Sequence, residues 1–147
     1  MYDFAYHRPV TLDEAANLLR CLDDPLLIAG GQTMIPTLKQ RLASPSNVID
    51  LGQIPGLRDI RANRKIASIG AMTRHAEVAA SPEVRISIPA LAILAGGIAD
   101  MHVRNLGTLG GSIANNDPAA DYPAAVLGLG ATIKTTTRDI PADDFFT

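Results

Sequence analysis

The chain has 147 residues, 47% of them hydrophobic and 19% charged, with a formal net charge of -2. That composition makes it a globular chain of single-domain size and excludes disorder, and the absence of a basic excess argues against a nucleic-acid partner. No run reaches the roughly 18 consecutive apolar residues of a membrane span, and the opening MYDFAYHRP lacks a signal-peptide pattern, so a cytoplasmic location is the default expectation.

Alternation predicts a short strand over Tyr2–Tyr6. Thr11 and Glu14 form a capping box that opens a helix with Leu12, Ala15, Ala16, Leu18 and Leu19 on it, ending near Cys21. Leu26–Ile28, bounded by Pro25 and Gly30, reads as a buried strand. A short helix over Met34–Leu42 follows, with Pro36 tolerated in its first turn, and then a strand at Val48–Leu51. Leu57–Arg61 and Lys65–Ile69 read as a hairpin about Ala62, Asn63 and Arg64. The basic group Arg58, Arg61, Arg64 and Lys65 reads as a solvated face. Thr73 is expected to cap a helix over Arg74–Ala80 that Pro82 stops. A longer helix starts near Pro89, with Leu91, Leu94, Ala95 and Ile98 on one face and Asp100 beyond its end. A polar loop, a helix opening near Asp121 and a strand over Ala131–Thr136 complete the chain. Strands mix with helices throughout, which predicts an α+β fold. A composition break near Pro55–Gly56 divides it into lobes 1–55 and 56–147.

Metal chemistry finds little support. Cys21 is the only cysteine, so there is no internal disulfide, multi-cysteine zinc site or four-cysteine cluster, and His7, His75 and His102 are far apart. The distinctive features are two glycine pairs. Ala29-Gly30-Gly31-Gln32-Thr33 leaves a strand and enters a helix. Adjacent glycines permit positive φ and close approach, successive N–H groups can cradle an anion, and Gln32 and Thr33 add neutral donors. No lysine sits where a P-loop needs one, and no GxGxxG is present. Thr108-Leu109-Gly110-Gly111-Ser112, followed by Asn115, Asn116 and Asp117, repeats this chemistry. Either segment alone reads as an ordinary tight turn. Together, each flanked by hydroxyl or amide donors, they read as two sides of a diphosphate site.

AGGQTMIPTLKQRLASP and VRNLGTLGGSIANNDPAADYPA resemble the two flavin-binding signatures of the FAD subunit of molybdenum hydroxylases. That group includes the medium subunit of aerobic carbon monoxide dehydrogenase and the FAD domain of xanthine dehydrogenase. FAYHRPVTLDEAANLL and ASIGAMTRHAEVAAS resemble the same family, so the likeness covers nearly the whole chain. It implies a two-lobed FAD-binding domain of the p-cresol methylhydroxylase-like type, with one pyrophosphate loop in each lobe. The first loop would be Ile28, Ala29, Gly30, Gly31, Gln32, Thr33, Met34 and Ile35, although Met34 also reads as a core filler. The second would be Thr108, Leu109, Gly110, Gly111 and Ser112. Asn115 matches a position near the cofactor, and Asp121 one that accepts hydrogen bonds from flavin hydroxyls, its other reading being a helix N-cap. Arg104 reads as a loop brace, and Ile98 as a core residue at a position near the flavin in relatives.

The implied role is an electron-transfer subunit of an oxidoreductase. FAD would take electrons from iron–sulfur centres on a small subunit, fed by a large molybdopterin subunit, and pass them to an external acceptor. No side chain is assigned as acid, base or nucleophile, and molybdopterin and iron–sulfur clusters would belong to the partners. Family members run about twice this length, so the resemblance implies a truncated domain lacking the family's C-terminal domain and incomplete on its isoalloxazine side. Asp143-Asp144-Phe145-Phe146 would lead into a loop. One alternative is a non-catalytic assembly or docking fragment without cofactor. Another is a stand-alone FAD reductase resembling the cell-wall enolpyruvyl reductases, which would need a substrate domain that this sequence does not supply.

Overall fold

Thr11 opens the first helix as its sequence requires. The Thr11 hydroxyl accepts the Glu14 N–H at 3.1 Å while the Glu14 carboxylate accepts the Val10 N–H at 2.8 Å. The structure, a computed structural model, describes residues 1–63 and 66–146. These divide into a unit Met1–Gly111 and a second from Ser112 onward. The lobe boundary expected at residues 55 and 56 lies inside the first unit.

The first unit begins with a three-stranded parallel sheet in the order β1 (Ala5–His7), β3 (Asn47–Asp50), β2 (Pro25–Ile28). Ile28 is in register with Asp50, so β2 and β3 end together. The helix α1 (Leu12–Cys21) packs on this sheet, and Ala15, Ile49 and Ile54 are buried among Leu18, Leu22, Leu51 and Leu57. The carboxyl edge is tied by Asp50, which accepts hydrogen bonds from the Tyr6 hydroxyl and from Gly52 N–H (2.8 Å). Helix α2 (Met34–Lys39) follows β2 and is shorter than the sequence suggests. It stops before Arg41, which takes φ +59°.

The strands β4 (Ile60–Ala62) and β5 (Ala67–Ile69) form the expected antiparallel hairpin, with Arg64 and Lys65 outside the described residues. Arg58 binds the Glu77 carboxylate through contacts of 2.6–2.9 Å, so one member of the basic group ties this hairpin to the next helix. Three helices follow, α3 (His75–Ala80), α4 (Pro82–Ser87) and α5 (Pro89–Gly97). Their buried face holds Val78, Val84, Leu91, Ala92 and Ala95. Two expectations change here. Arg74, not Thr73, precedes the first helical residue of α3, and Glu77 accepts its N–H at 2.9 Å, while Thr73 lies buried. Pro82 starts α4 as much as it stops α3, because Ser81 caps the new helix by accepting the Val84 N–H at 3.2 Å. The short α6 (Met101–Arg104), capped by Asp100, has too few residues to show a period in sequence.

Helix α7 (Leu109–Asn115) crosses the division between the units, so the second glycine pair lies in the first turn of a helix and not in a loop. The second unit continues with α8 (Asp121–Gly128), a hairpin of β6 (Thr132–Lys134) and β7 (Asp139–Pro141), and α9 (Ala142–Phe145). Ala142 N–H bonds to the Ala131 carbonyl at 2.9 Å, closing the hairpin onto its own beginning. Asp143 to Phe145 are helical, and Thr147 lies outside the described residues.

Candidate functional site

The first glycine turn begins where β2 ends. Gly31 is buried at φ +71°, a conformation glycine enters without penalty, and its carbonyl accepts the Ile35 N–H at 2.9 Å to start α2. Among the described residues, the N–H groups of Gly31, Gln32 and Thr33 enter no backbone hydrogen bond. Gln32 spends one amide donor on its own turn, through Nε2 to the Gly30 carbonyl at 3.2 Å. Thr33 is exposed, and its hydroxyl caps nothing. Ile28, Ala29 and Met34 are half-buried and Ile35 is exposed.

The second glycine segment is laced to a different stretch. His75 N–H donates to the Gly107 carbonyl (3.0 Å), Leu109 N–H to the Thr73 carbonyl (2.9 Å) and Gly110 N–H to the Ala71 carbonyl (2.8 Å). Arg74 and Thr108 form the bridge at the centre of this short ladder. The hydroxyl of buried Thr108 accepts the Gly111 N–H at 3.1 Å. The N–H groups of Leu109, Gly110 and Gly111 are thus turned into the protein. Gly110 is a close-approach glycine toward the protein itself, since a Cβ there would lie 2.6 Å from the Ala71 Cβ.

The two glycine segments meet. A Cβ on Gly30 would strike the Leu106 carbonyl oxygen and stand 2.7 Å from the Gly107 Cα. A Cβ on Gly111 would stand 3.6 Å from the Ala29 Cβ. At Gly30 backbone therefore lies on backbone, and only glycine allows it, whereas the Gly111 approach to Ala29 is an ordinary contact. His75 packs beneath, with its Nε2 2.6 Å from where a Gly107 Cβ would be, and burial holds its imidazole below the ordinary value. Among the described residues, no salt bridge involves either glycine segment. The groups available to an anion here are neutral N–H and hydroxyl donors.

In the second unit, Ser112 is half-buried on α7 and Asn115 is exposed at its end. Asn116 takes φ +47° and breaks the helix. Asp121 is the first residue of α8 and is exposed. Ala120 holds the cap position and no side chain caps the helix, so the N-cap reading of Asp121 is replaced by a free-facing carboxylate. Burial, with the Asp121 carboxylate adding to it, pushes the neighbouring Tyr122 phenol up.

Arg104 is a brace, as its sequence position suggests. Its guanidinium donates to the Ile98 and Ala99 carbonyls at 2.9 and 2.7 Å. Ile98 is half-buried just past α5, outside that helix's buried face. Sequence reasoning missed Ala71, Thr73, His75 and Leu106 as parts of this arrangement. Three of the four contribute backbone carbonyls, which carry no side-chain signal. Among the described residues, no group of three or more His, Cys, Asp or Glu could hold a metal ion, and no helix is long and apolar enough to cross a membrane.

The family profile described as FAD binding domain in molybdopterin dehydrogenase matches residues 2–147. The carbon monoxide dehydrogenase medium chain of Hydrogenophaga pseudoflava is 42% identical over 148 residues, covering 97% of this chain and 52% of that one. The nicotine 6-hydroxylase medium subunit of Paenarthrobacter nicotinovorans is 39% identical over 145 residues, covering 96% and 51%. The solved carbon monoxide dehydrogenase of Hydrogenophaga pseudoflava superposes with a TM-score of 0.91 at 42% identity, over 98% of this chain and 52% of that one. Quinoline 2-oxidoreductase from Pseudomonas putida 86 gives a TM-score of 0.90 at 36% identity, over 95% and 50%. The chain spans about half the length of the curated relatives it matches.

Proposed function

This chain belongs to the family of FAD-binding domains of molybdopterin dehydrogenases, and from that premise we propose that it is the FAD-holding part of an electron-transfer subunit in a molybdenum hydroxylase. The observation that carries the reading is the backbone-on-backbone meeting of Gly30 with Leu106 and Gly107. It sets two glycine segments side by side, one of them with N–H groups left over.

The residues present fit a diphosphate. Gly31, Gln32 and Thr33 offer N–H donors, Thr33 adds a hydroxyl, and the positive φ of Gly31 turns the chain to present them. In the second segment, Thr108, Gly110 and Gly111 act as a wall that shapes the site, because the N–H groups of residues 109–111 are already bonded inward. From the resemblance alone, Ser112 is read as the end of the second loop, Asn115 as near the cofactor, and Asp121 as the acceptor for flavin hydroxyls. When bound, FAD supplies the redox chemistry that would link iron–sulfur donors on a small subunit to an external acceptor, with molybdopterin on a large subunit. Support for those partners comes from relatives whose names call them medium chains or subunits. The chain's own residues bind and orient, and none is needed as acid, base or nucleophile.

The test is titration of the purified chain with FAD, followed by flavin fluorescence and absorbance, with ADP as competitor. Saturable binding of one FAD per chain, displaced by ADP, is expected of a diphosphate cradle. A chain that takes up no FAD overturns the reading and leaves the docking-fragment alternative.

A further inference from the structure

Between α5 and α6 the chain makes a turn that an ordinary residue resists. Ala99 takes φ +44°, the left-handed region that an L-alanine enters only at a cost. Arg104 reaches back across this turn, its Nη1 donating to the carbonyls of Ile98 and Ala99. Those two carbonyls lie just past the end of α5, where no helical N–H remains to satisfy them. Asp100 closes the turn from the other side by accepting the His102 and Val103 N–H groups at 2.7 and 2.9 Å. Helix α6 has four residues, too few to hold itself, so its position depends on what holds it from outside, these two clasps and its packing on α3 among them. The chain then runs from α6 into the second glycine segment with one intervening turn, in which Gly107 N–H bonds to the Val103 carbonyl at 2.7 Å. A displacement of α6 would therefore pull on Leu106 to Gly110, against the bonds that hold this segment to Ala71, Thr73 and His75.

We propose that Arg104 is a positioning residue for the second glycine segment. By holding Ala99 in the left-handed turn, it sets α6 and thereby seats Leu106–Gly110 both on the Ala71–His75 stretch and against Gly30. The consequence for FAD rests on the function proposed above, whereas the seating itself does not.

The experiment compares Arg104→Ala in the parent chain and in an Ala99→Gly background. Amide hydrogen exchange is read at Leu109 and Gly110, whose N–H groups bond to Thr73 and Ala71, with Ile49 in the central strand as the control. FAD affinity is measured alongside. In the parent chain, Arg104→Ala is expected to speed exchange at Leu109 and Gly110 by about tenfold or more, and to weaken FAD binding by a similar factor, while Ile49 is unchanged. In the Ala99→Gly background the left-handed turn costs little, so the same substitution is expected to change both by less than about threefold. Unchanged exchange at Leu109 and Gly110, or no relief from Ala99→Gly, overturns the proposal. If Arg104→Ala does not fold, Arg104→Lys is carried through the same pair of backgrounds and judged by the same outcomes. Exchange that follows this pattern in a chain that binds no FAD would overturn the proposed function and leave the role of Arg104 standing.

Discussion

Gly30 and Leu106, 76 positions apart in the chain, touch so closely that a side chain on the glycine would collide with the leucine's carbonyl oxygen. Neither partner in that contact can rotate away, because both are backbone. Gly30→Ala should therefore part the two glycine segments. Overpacking against backbone costs about 1–3 kcal/mol, and FAD affinity should fall along with it. Urea unfolding of the FAD-free chain reads the first effect. A variant with unchanged midpoint and slope would mean that the two segments do not meet in solution.

Thr33→Val separates binding from folding. Thr33 is exposed beside the free N–H groups of the first turn, and its hydroxyl caps no helix. Valine keeps the shape and removes one donor. Stability should move by no more than about 0.5 kcal/mol, as for an ordinary surface change. FAD affinity should drop by about 0.5–1.5 kcal/mol, the net worth of one neutral hydrogen bond. Equal FAD affinity in parent and variant would remove the Thr33 hydroxyl from the site.

Much of this was legible in the sequence, for physical reasons that differ by element. Thr11 with Glu14 wrote the start of α1 in side-chain chemistry, and the apolar run Leu26–Ile28 marked β2, although that strand starts at Pro25 and is half-buried, with Leu27 exposed, where a buried strand was expected. The glycine pairs announced close approach. What they could not announce was its object, because Gly110 looks the same whether a ligand or Ala71 lies opposite it. The seating of the second segment was hidden for the same reason, since the carbonyls of Ala71 and Thr73 do that work and every residue has one. Helices α4, α6 and α9 were too short for a hydrophobic period. The hairpin partner β7 was missed because the single apolar Ile140 between Asp139 and Pro141 shows no alternation until it is paired with Ile133.

Acid should loosen the second segment through His75. Burial holds this imidazole below its ordinary value of 6.5, so the folded chain favours the neutral ring. Above 6.5 both states carry it neutral and no stability is lost. As pH falls below 6.5 the unfolded chain takes up the proton first, and stability declines until the folded state also protonates. Unfolding midpoints of parent and His75→Gln, measured from pH 8 down to about 5, should diverge in slope only below 6.5, with the variant flatter. Because His7 and His102 remain in both proteins, the difference isolates His75. Parallel slopes would mean that His75 is solvated in solution.

Asp121→Asn tests whether the Asp121 carboxylate belongs to the proposed cofactor site. The residue opens α8 in the first turn, exposed, with Ala120 at the cap position, so capping gives its carboxylate no reason to be there. Two roles remain. An acid in the first turn of a helix favours the dipole by about 0.3–1 kcal/mol, and that contribution is present with or without ligand. A carboxylate accepting a cofactor hydroxyl is worth about 1.5–3 kcal/mol, and only when FAD is bound. Asp121→Asn keeps the shape and removes the charge, so it lowers both contributions but at different times. The expected result is a small drop in melting temperature without FAD, a larger one with FAD at saturation, and a clear loss of FAD affinity. Equal drops in the two conditions, with unchanged affinity, would assign Asp121 to the helix dipole alone and remove it from the cofactor site.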